Sequence, residues 1–240
     1  MKRILFVLVV VLIALNDSRG GEPETLFAQV RALAQSGNLE AQYHIGMMYN
    51  NGMGVSQDPN KAFEWFSKAA TGGDPLAAYK VGCYYDGQFP GVVAVDLNKA
   101  VEYKLIAAKA GYSIAQSDVG IAYYKQGNVT EALGWWRMAA GQGYDTALYY
   151  LSIVYRDGKV VPKDSARAFA YFKLSQSLSG NQIGQEVQAV LDKFASTMSS
   201  EELAKAEEIV SSWKSQPTSL TQRAKEGVER ARKLAGTGHN

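Results

Sequence analysis

From Pro23 onward, apolar residues return at steps of three and four, and each run closes on glycine and a short polar cluster. Ala62, Trp65, Phe66, Ala69 and Ala70 stand at i, i+3, i+4, i+7 and i+8, one apolar stripe along a helix of 3.6 residues per turn. Ala41, Ile45 and Met48 carry the same kind of spacing one helix earlier. Between the two stripes, "NNGMGVSQDPNKA" holds Gly52 and Gly54 to stop the first helix and Asp58-Pro59 to start the second. Small residues alternate with rings because two packed backbones must approach at some levels and be filled by a side chain at others. Gly46 and Ala69 meet the first need, Trp65 and Tyr49 the second.

The pair of helices then recurs. Gly37, Gly73, Gly111 and Gly143, at steps of 36, 38 and 32, are each followed four positions on by Ala41, Ala77, Ala115 and Ala147. Beyond each alanine come Gly46-x-x-Tyr49, Gly82-x-x-Tyr85, Gly120-x-x-Tyr123 and Ser152-x-x-Tyr155. Ala62, Ala100, Ala132 and Ala168 each precede an aromatic residue by three. A period of this length belongs to helical repeats, in which each unit buries its apolar face only against its neighbours. The pattern predicts an all-α fold, an α-solenoid of four helix-turn-helix units at 41–76, 77–114, 115–146 and 147–180. "PETLFAQVRALAQSG" has the second-helix phrase without a first helix and predicts a capping helix within 21–40. After Gly180 the period is lost, and 181–240 is expected to hold C-terminal capping helices and a tail. There a Ser199-x-x-Glu202 capping box opens an amphipathic helix with Leu203, Ala206, Val210 and Trp213. Gln216-Pro217-Thr218 breaks it, and Leu220 to Leu234 is predicted as one more helix. Trp65 and the pair Trp135-Trp136 are expected in the core.

"AQYHIGMMYNNGMGVSQDPNKAFEWFSKAATGGD" resembles a Sel-one-like repeat, a relative of the tetratricopeptide repeat with a longer loop between its helices. "GIAYYKQGNVTEALGWWRMAAGQG" shortens that loop and is similar to the tetratricopeptide form. The second unit has "DGQFPGVVAVD" in place of the usual Gly-x-Gly-Val run, and the fourth has Ser152 and Ser175-Gln176 where glycine and Ala-Ala stand elsewhere. The resemblance covers Ala41 to Gly180. It implies a stacked array whose first helices line a concave surface for a protein partner. By tetratricopeptide analogy, the residues one and four after the repeat glycine face that surface: Met47 and Asn50, Cys83 and Asp86, Ile121 and Tyr124, Ile153 and Arg156. Tyr43, Tyr79 and Tyr149 lie one turn earlier. Aromatic and aliphatic side chains with few like charges suit a protein partner, whose hot spots are aromatic. The apolar loop Phe89–Val95 reads equally as a contact site or as a loop folded against its neighbouring repeat.

Charge and chemistry narrow the function. Lys2 and Arg3, then the apolar run Ile4–Leu15, then small residues at Ser18 and Gly20, have the layout of a secretory signal over 1–20, cleaved after Gly20. The run falls short of the roughly 20 residues that span a bilayer, so the expectation is an exported, periplasmic chain without a membrane span once mature. The net charge of +2 is matched by Lys2, Arg3 and Arg19 against Asp17, which leaves the remainder near neutral and argues against nucleic acid as a partner. Cys83 is the single cysteine, so no disulfide closes within the chain, and its place in a repeat helix favours burial. Of the two histidines, His44 is expected at the surface and His239 in the tail. HExxH, CxxC and G-x-S-x-G are absent, so no metal, cofactor or catalytic residue is expected. Resemblance to small exported proteins of this repeat type implies an immunity protein that binds and neutralises a phospholipase effector delivered by type VI secretion. The same family resemblance leaves an envelope scaffold or regulator, acting on exopolysaccharide machinery or a sensor kinase, as the alternative. A β-lactamase-like hydrolase, known among cysteine-rich relatives, lacks its residues here.

Overall fold

A computed structural model describes residues 22–180 and 185–236; the secretory signal expected at 1–20 and His239 lie outside them. Every regular element among the described residues is an α-helix. The chain divides into two compact units, one formed by the residues up to Val95 together with those from Glu226, the other by Asp96–Lys225.

The first unit contains α1 (Glu22–Gln35), α2 (Leu39–Asn51), α3 (Pro59–Thr71), α4 (Pro75–Tyr85) and, from the far end of the chain, α13 (Val228–Leu234). Successive helices α1 to α4 pack side by side, and α13 lies on α1 and α2. Three of the helix starts are set by one device. Asn38, Asp58 and Asp74 accept the N–H groups of Ala41, Lys61 and Ala77 at 2.9, 3.0 and 2.8 Å, satisfying donors that have no partner inside the helix. Gly52 ends α2 in the left-handed region at φ 71°, where a side chain is disfavoured. Phe66 is fully buried. A Cβ on Gly46 would stand 2.6 Å from its ring, so α2 and α3 meet at that level only because the residue is glycine. The Glu40 carboxylate receives Arg230 of α13 at 2.7 Å and holds that guanidinium more firmly charged.

The second unit contains α5 (Leu97–Lys109), α6 (Ser113–Lys125), α7 (Val129–Gly141), α8 (Asp145–Asp157), α9 (Ser165–Leu178), α10 (Gln185–Ala195), α11 (Ser200–Ser212) and α12 (Ser219–Glu226). Helices α5 to α9 pack in sequence, and α9 carries α10 and α11. Trp136 repeats the part of Phe66. It is 1% exposed, its Nε1–H donates to the Ser117 carbonyl at 3.2 Å, and a Cβ on Gly120 would stand 2.5 Å from that nitrogen.

Two expectations are corrected here, and one helix is added to the capping region expected at 181–240. Trp65 and Trp135 are only half-buried, and the inward rings are the next residues, Phe66 and Trp136. In these two repeats the position four after the repeat alanine faces the partner helix, while the position three after it lies on the flank, where Lys68 Nζ sits 5.2 Å from the centre of the Trp65 ring. The lost period after Gly180 conceals a further helix, α10, whose Phe194 meets Phe169 edge to face at 5.6 Å. Leu220–Leu234 is not one helix: Gly227, at φ 53°, divides α12 from α13. The Ser199–Glu202 capping box is present, and accepting the Ser199 N–H keeps the Glu202 carboxyl below the usual carboxylate range.

Trp136→Ala should cost about 3–5 kcal/mol and Gly120→Ala about 1–3 kcal/mol through overpacking. Trp65→Ala should cost clearly less than either, read from urea unfolding followed by helical circular dichroism. Because the pKa of Glu202 is depressed on folding, its contribution is present above the usual carboxylate range and is lost as pH falls through the lowered value. Glu202→Gln should therefore flatten the acid limb of stability against pH, measured by thermal unfolding across the acidic range.

Candidate interaction surface

Rings that the repeats bury at their centres continue outward in the second unit. Trp136 is stacked face to face by Tyr150, with centroids 4.8 Å apart and planes at 7°, and Tyr124 lies 5.5 Å from the same indole. Tyr149 meets Tyr150 at 6.0 Å and Phe172 at 6.4 Å. The chain of rings runs from α6 across α7 to α8 and α9, and its solvent side is made by Tyr124 and Tyr149, 45% and 43% exposed. An exposed phenol anchored on buried rings gives apolar area together with a polar tip and loses little side-chain freedom when a partner covers it.

The other residues expected on the first helices of this unit divide by burial. Ile121 is half-buried and packs against the core cluster built on Leu148, Leu151 and Trp136, so much of it is committed to packing. Ile153 is half-buried, and Arg156 is exposed with Nη2 2.9 Å from Asp157 Oδ1.

In the first unit, Tyr43, Met47, Tyr79 and Cys83 are half-buried and Asp86 is exposed. Cys83 is thus less enclosed than its repeat position implies. Tyr43 rests 6.0 Å from Phe66 and 5.1 Å from His44. Asn50 does not belong with them. It is buried, and its Oδ1 accepts the Tyr84 hydroxyl at 3.0 Å, a bond from α4 back to α2 that joins two repeats internally. Burial pushes the Tyr84 phenol well above its ordinary range, so it remains a neutral donor. His44 is corrected too: it is buried on the inward side of α2 and not at the surface. In the loop Phe89–Val95, Phe89 folds back to 5.2 Å from Tyr84, whereas Val95 is 62% exposed. The loop therefore combines both readings, packed at its start and open at its end.

Tyr150 is not among the residues that the sequence singles out, whereas Phe172 stands in the pair Tyr171-Phe172, which occupies the place of Trp65-Phe66 and Trp135-Trp136. Each belongs to a doubled aromatic, Tyr149-Tyr150 or Tyr171-Phe172, whose two rings meet different neighbours: Tyr150 stacks on Trp136 while Tyr149 meets Phe172, and Tyr171 meets Tyr155. No group of histidine, cysteine, aspartate and glutamate among the described residues could hold a metal ion, and no described helix is long and apolar enough to cross a membrane.

The Sel1 repeat family model matches residues 39–74, 75–112, 113–144 and 146–175. A putative sel1-like repeat-containing protein of Acanthamoeba polyphaga mimivirus is 30% identical over 143 residues, 59% of this chain and 26% of that protein. The chain thus spans about a quarter of this curated relative's length. A crystal structure of a Sel1 repeat protein from Oxalobacter formigenes superposes with a TM-score of 0.60 at 26% identity, covering 88% of this chain and 80% of that one. Immunity protein Pa5087 from Pseudomonas aeruginosa is similar over 88% of this chain and 74% of that one, at 19% identity and a TM-score of 0.44, too loose a likeness to bear on function. The Sel1 repeat fold is typically a non-catalytic scaffold on which other proteins are bound. Matched over more than half of its length by that repeat, the chain belongs to the Sel1 repeat family, whose helix pairs serve as protein–protein interaction modules.

Proposed function

We propose that the chain is a non-enzymatic protein-binding module of the cell envelope, and more narrowly an antidote that grips and neutralises a phospholipase toxin delivered by type VI secretion. The observation that carries the protein-binding part is the strip in the second unit, where Tyr124 stands exposed against the buried Trp136 and Tyr149 against the half-buried Tyr150 and Phe172. Such side chains are held in place before a partner arrives, so little ordering entropy is lost on binding. Export is supported by the charged, apolar and small-residue sequence of 1–20, the layout of a secretory signal, and an exported chain would meet a toxin that enters the periplasm. Neutralisation needs only a tight complex that covers the toxin's active face, and a repeat scaffold offers a wide, preformed surface for it.

Two arms test this reading. Co-expression should rescue cells from a periplasm-directed phospholipase encoded beside this gene, and the tagged chain should retain that phospholipase in a pull-down. Binding without rescue would leave an interaction module and end the antidote reading; neither binding nor rescue would end both. Tyr124→Ala with Tyr149→Ala should weaken the complex at least about 30-fold, by the 2 kcal/mol or more typical of hot-spot aromatics, with the melting temperature within about 3 °C of the parent. Calorimetry showing the double variant unfolded at room temperature would mean that the strip is packing and not a binding face.

A further inference from the structure

The four turns that precede the first helices are not alike. Each has a positive-φ glycine, Gly37, Gly73, Gly111 or Gly143. In the first unit the next residue is Asn38 or Asp74, and its side chain caps α2 or α4. A Cβ on Gly37 or Gly73 would meet nothing within 4 Å. In the second unit the next residue is Tyr112 or Tyr144, and neither side chain caps the helix that follows. Here a Cβ on Gly111 would come to 3.0 Å from Thr218 Cγ2, and one on Gly143 to 2.8 Å from Ser215 Cβ. The stretch between α11 and α12 therefore lies along those turns whose own sequence supplies no cap.

It is held there by specific hydrogen bonds. Thr221 Oγ1 accepts the Ser113 N–H at the start of α6, 3.1 Å away, as an N-cap side chain would. Gln142, 6% exposed, donates through Nε2 to the Gly111 carbonyl and to Gln116 Oε1, both at 2.8 Å. Its Oε1 accepts the Thr218 N–H at 3.0 Å and the Thr221 hydroxyl at 2.7 Å. The Thr218 hydroxyl donates to the Gly111 carbonyl at 2.9 Å, and the Gln216 N–H donates to the Gly141 carbonyl at 2.8 Å. Trp213 packs against the core cluster of this unit, while Lys214, Ser215 and Gln216 are exposed.

We infer that residues 213–221 are an intramolecular latch, which supplies α6 with the cap that Tyr112 does not and, while Thr218 and Thr221 are seated, ties down the turns before α6 and α8, the helices that carry Tyr124 and Tyr149 of the strip. Leaving the seat takes both donors from Gln142 Oε1 and the acceptor from Ser113 N–H, in places nearly closed to water. Buried groups stripped of partners are costly, so release must open the turn itself. Only the purpose assigned to the strip rests on the function proposed above; the latch stands on contacts within this unit.

The test is hydrogen exchange on the full-length chain carrying Thr218→Val and Thr221→Val, which keep the side-chain shape and remove both hydroxyls. Amides of residues 113–116 should exchange about tenfold faster or more, the change expected from the loss of one or more buried hydrogen bonds. The amides of Ala41 and Ala77, capped by Asn38 and Asp74, should be unchanged, and Thr221→Ser alone should keep the parent's protection. Unchanged protection at 113–116, or an equal loss in both units, would overturn the inference. If the double variant does not fold, Thr221→Val alone must show the same local pattern, and its absence there would count equally against the latch. No partner is needed for this readout, so its failure is separate from any failure to bind a toxin.

Discussion

A ring seated on a glycine, where one helix backbone meets the next, is the contact on which each unit is organised. Phe66 on Gly46 and Trp136 on Gly120 are the same arrangement, in the first unit and in the second. Glycine lets the backbones approach to a distance that any Cβ would forbid, and the ring then fills the whole level and fixes how far one helix is turned against the other. Once the turn is fixed, everything beyond the seat is fixed with it. Tyr150 stacks on the outer face of Trp136, Tyr124 stands beside it, and Tyr149 follows. The candidate binding surface is thus the outward continuation of the packing.

Polar chemistry in this chain serves placement. Asn38, Asp58 and Asp74 start helices, Asn50 and Tyr84 join successive repeats, and Gln142 gathers two turns and a distant segment through its amide. These side chains, exposed at Asn38 and buried at Asp74, Asn50, Tyr84 and Gln142, are paired with groups of the protein itself, which suits a molecule whose task is to hold a shape for another to meet. Where the chain replaces a capping carboxylate by tyrosine, as at Tyr112, the missing acceptor comes from Thr221, more than a hundred residues away.

How much of this was legible in the sequence follows from the range of each interaction. The helix pairs were readable because Ala62, Phe66 and Ala69 mark a stripe within one helix, and because the same phrase recurs with its glycine. Which of two adjacent rings turns inward was not: Trp65 and Phe66 both touch the stripe, and only the crossing of the two helices selects the second. Asn50 has the tetratricopeptide spacing of an outward position and His44 a polar ring, yet the packing of α2 turns both inside. The helix at Gln185–Ala195 carries no repeat signal, and Gly227 falls inside the span Leu220–Leu234 that the sequence predicts as one helix. The seating of Thr221 on Ser113 leaves no local trace at all, apart from a tyrosine where other turns have asparagine or aspartate.

The central claim is that the first helices of the second unit present a preformed aromatic face to another protein. Hydrogen exchange of the chain, alone and bound to a protein that it retains in a pull-down, reads this face directly. Slowing on binding should include α6 and α8 around Tyr124 and Tyr149, with no change in helix content. Slowing confined to the outer faces of α5 and α7, or helices that form only in the complex, would contradict it.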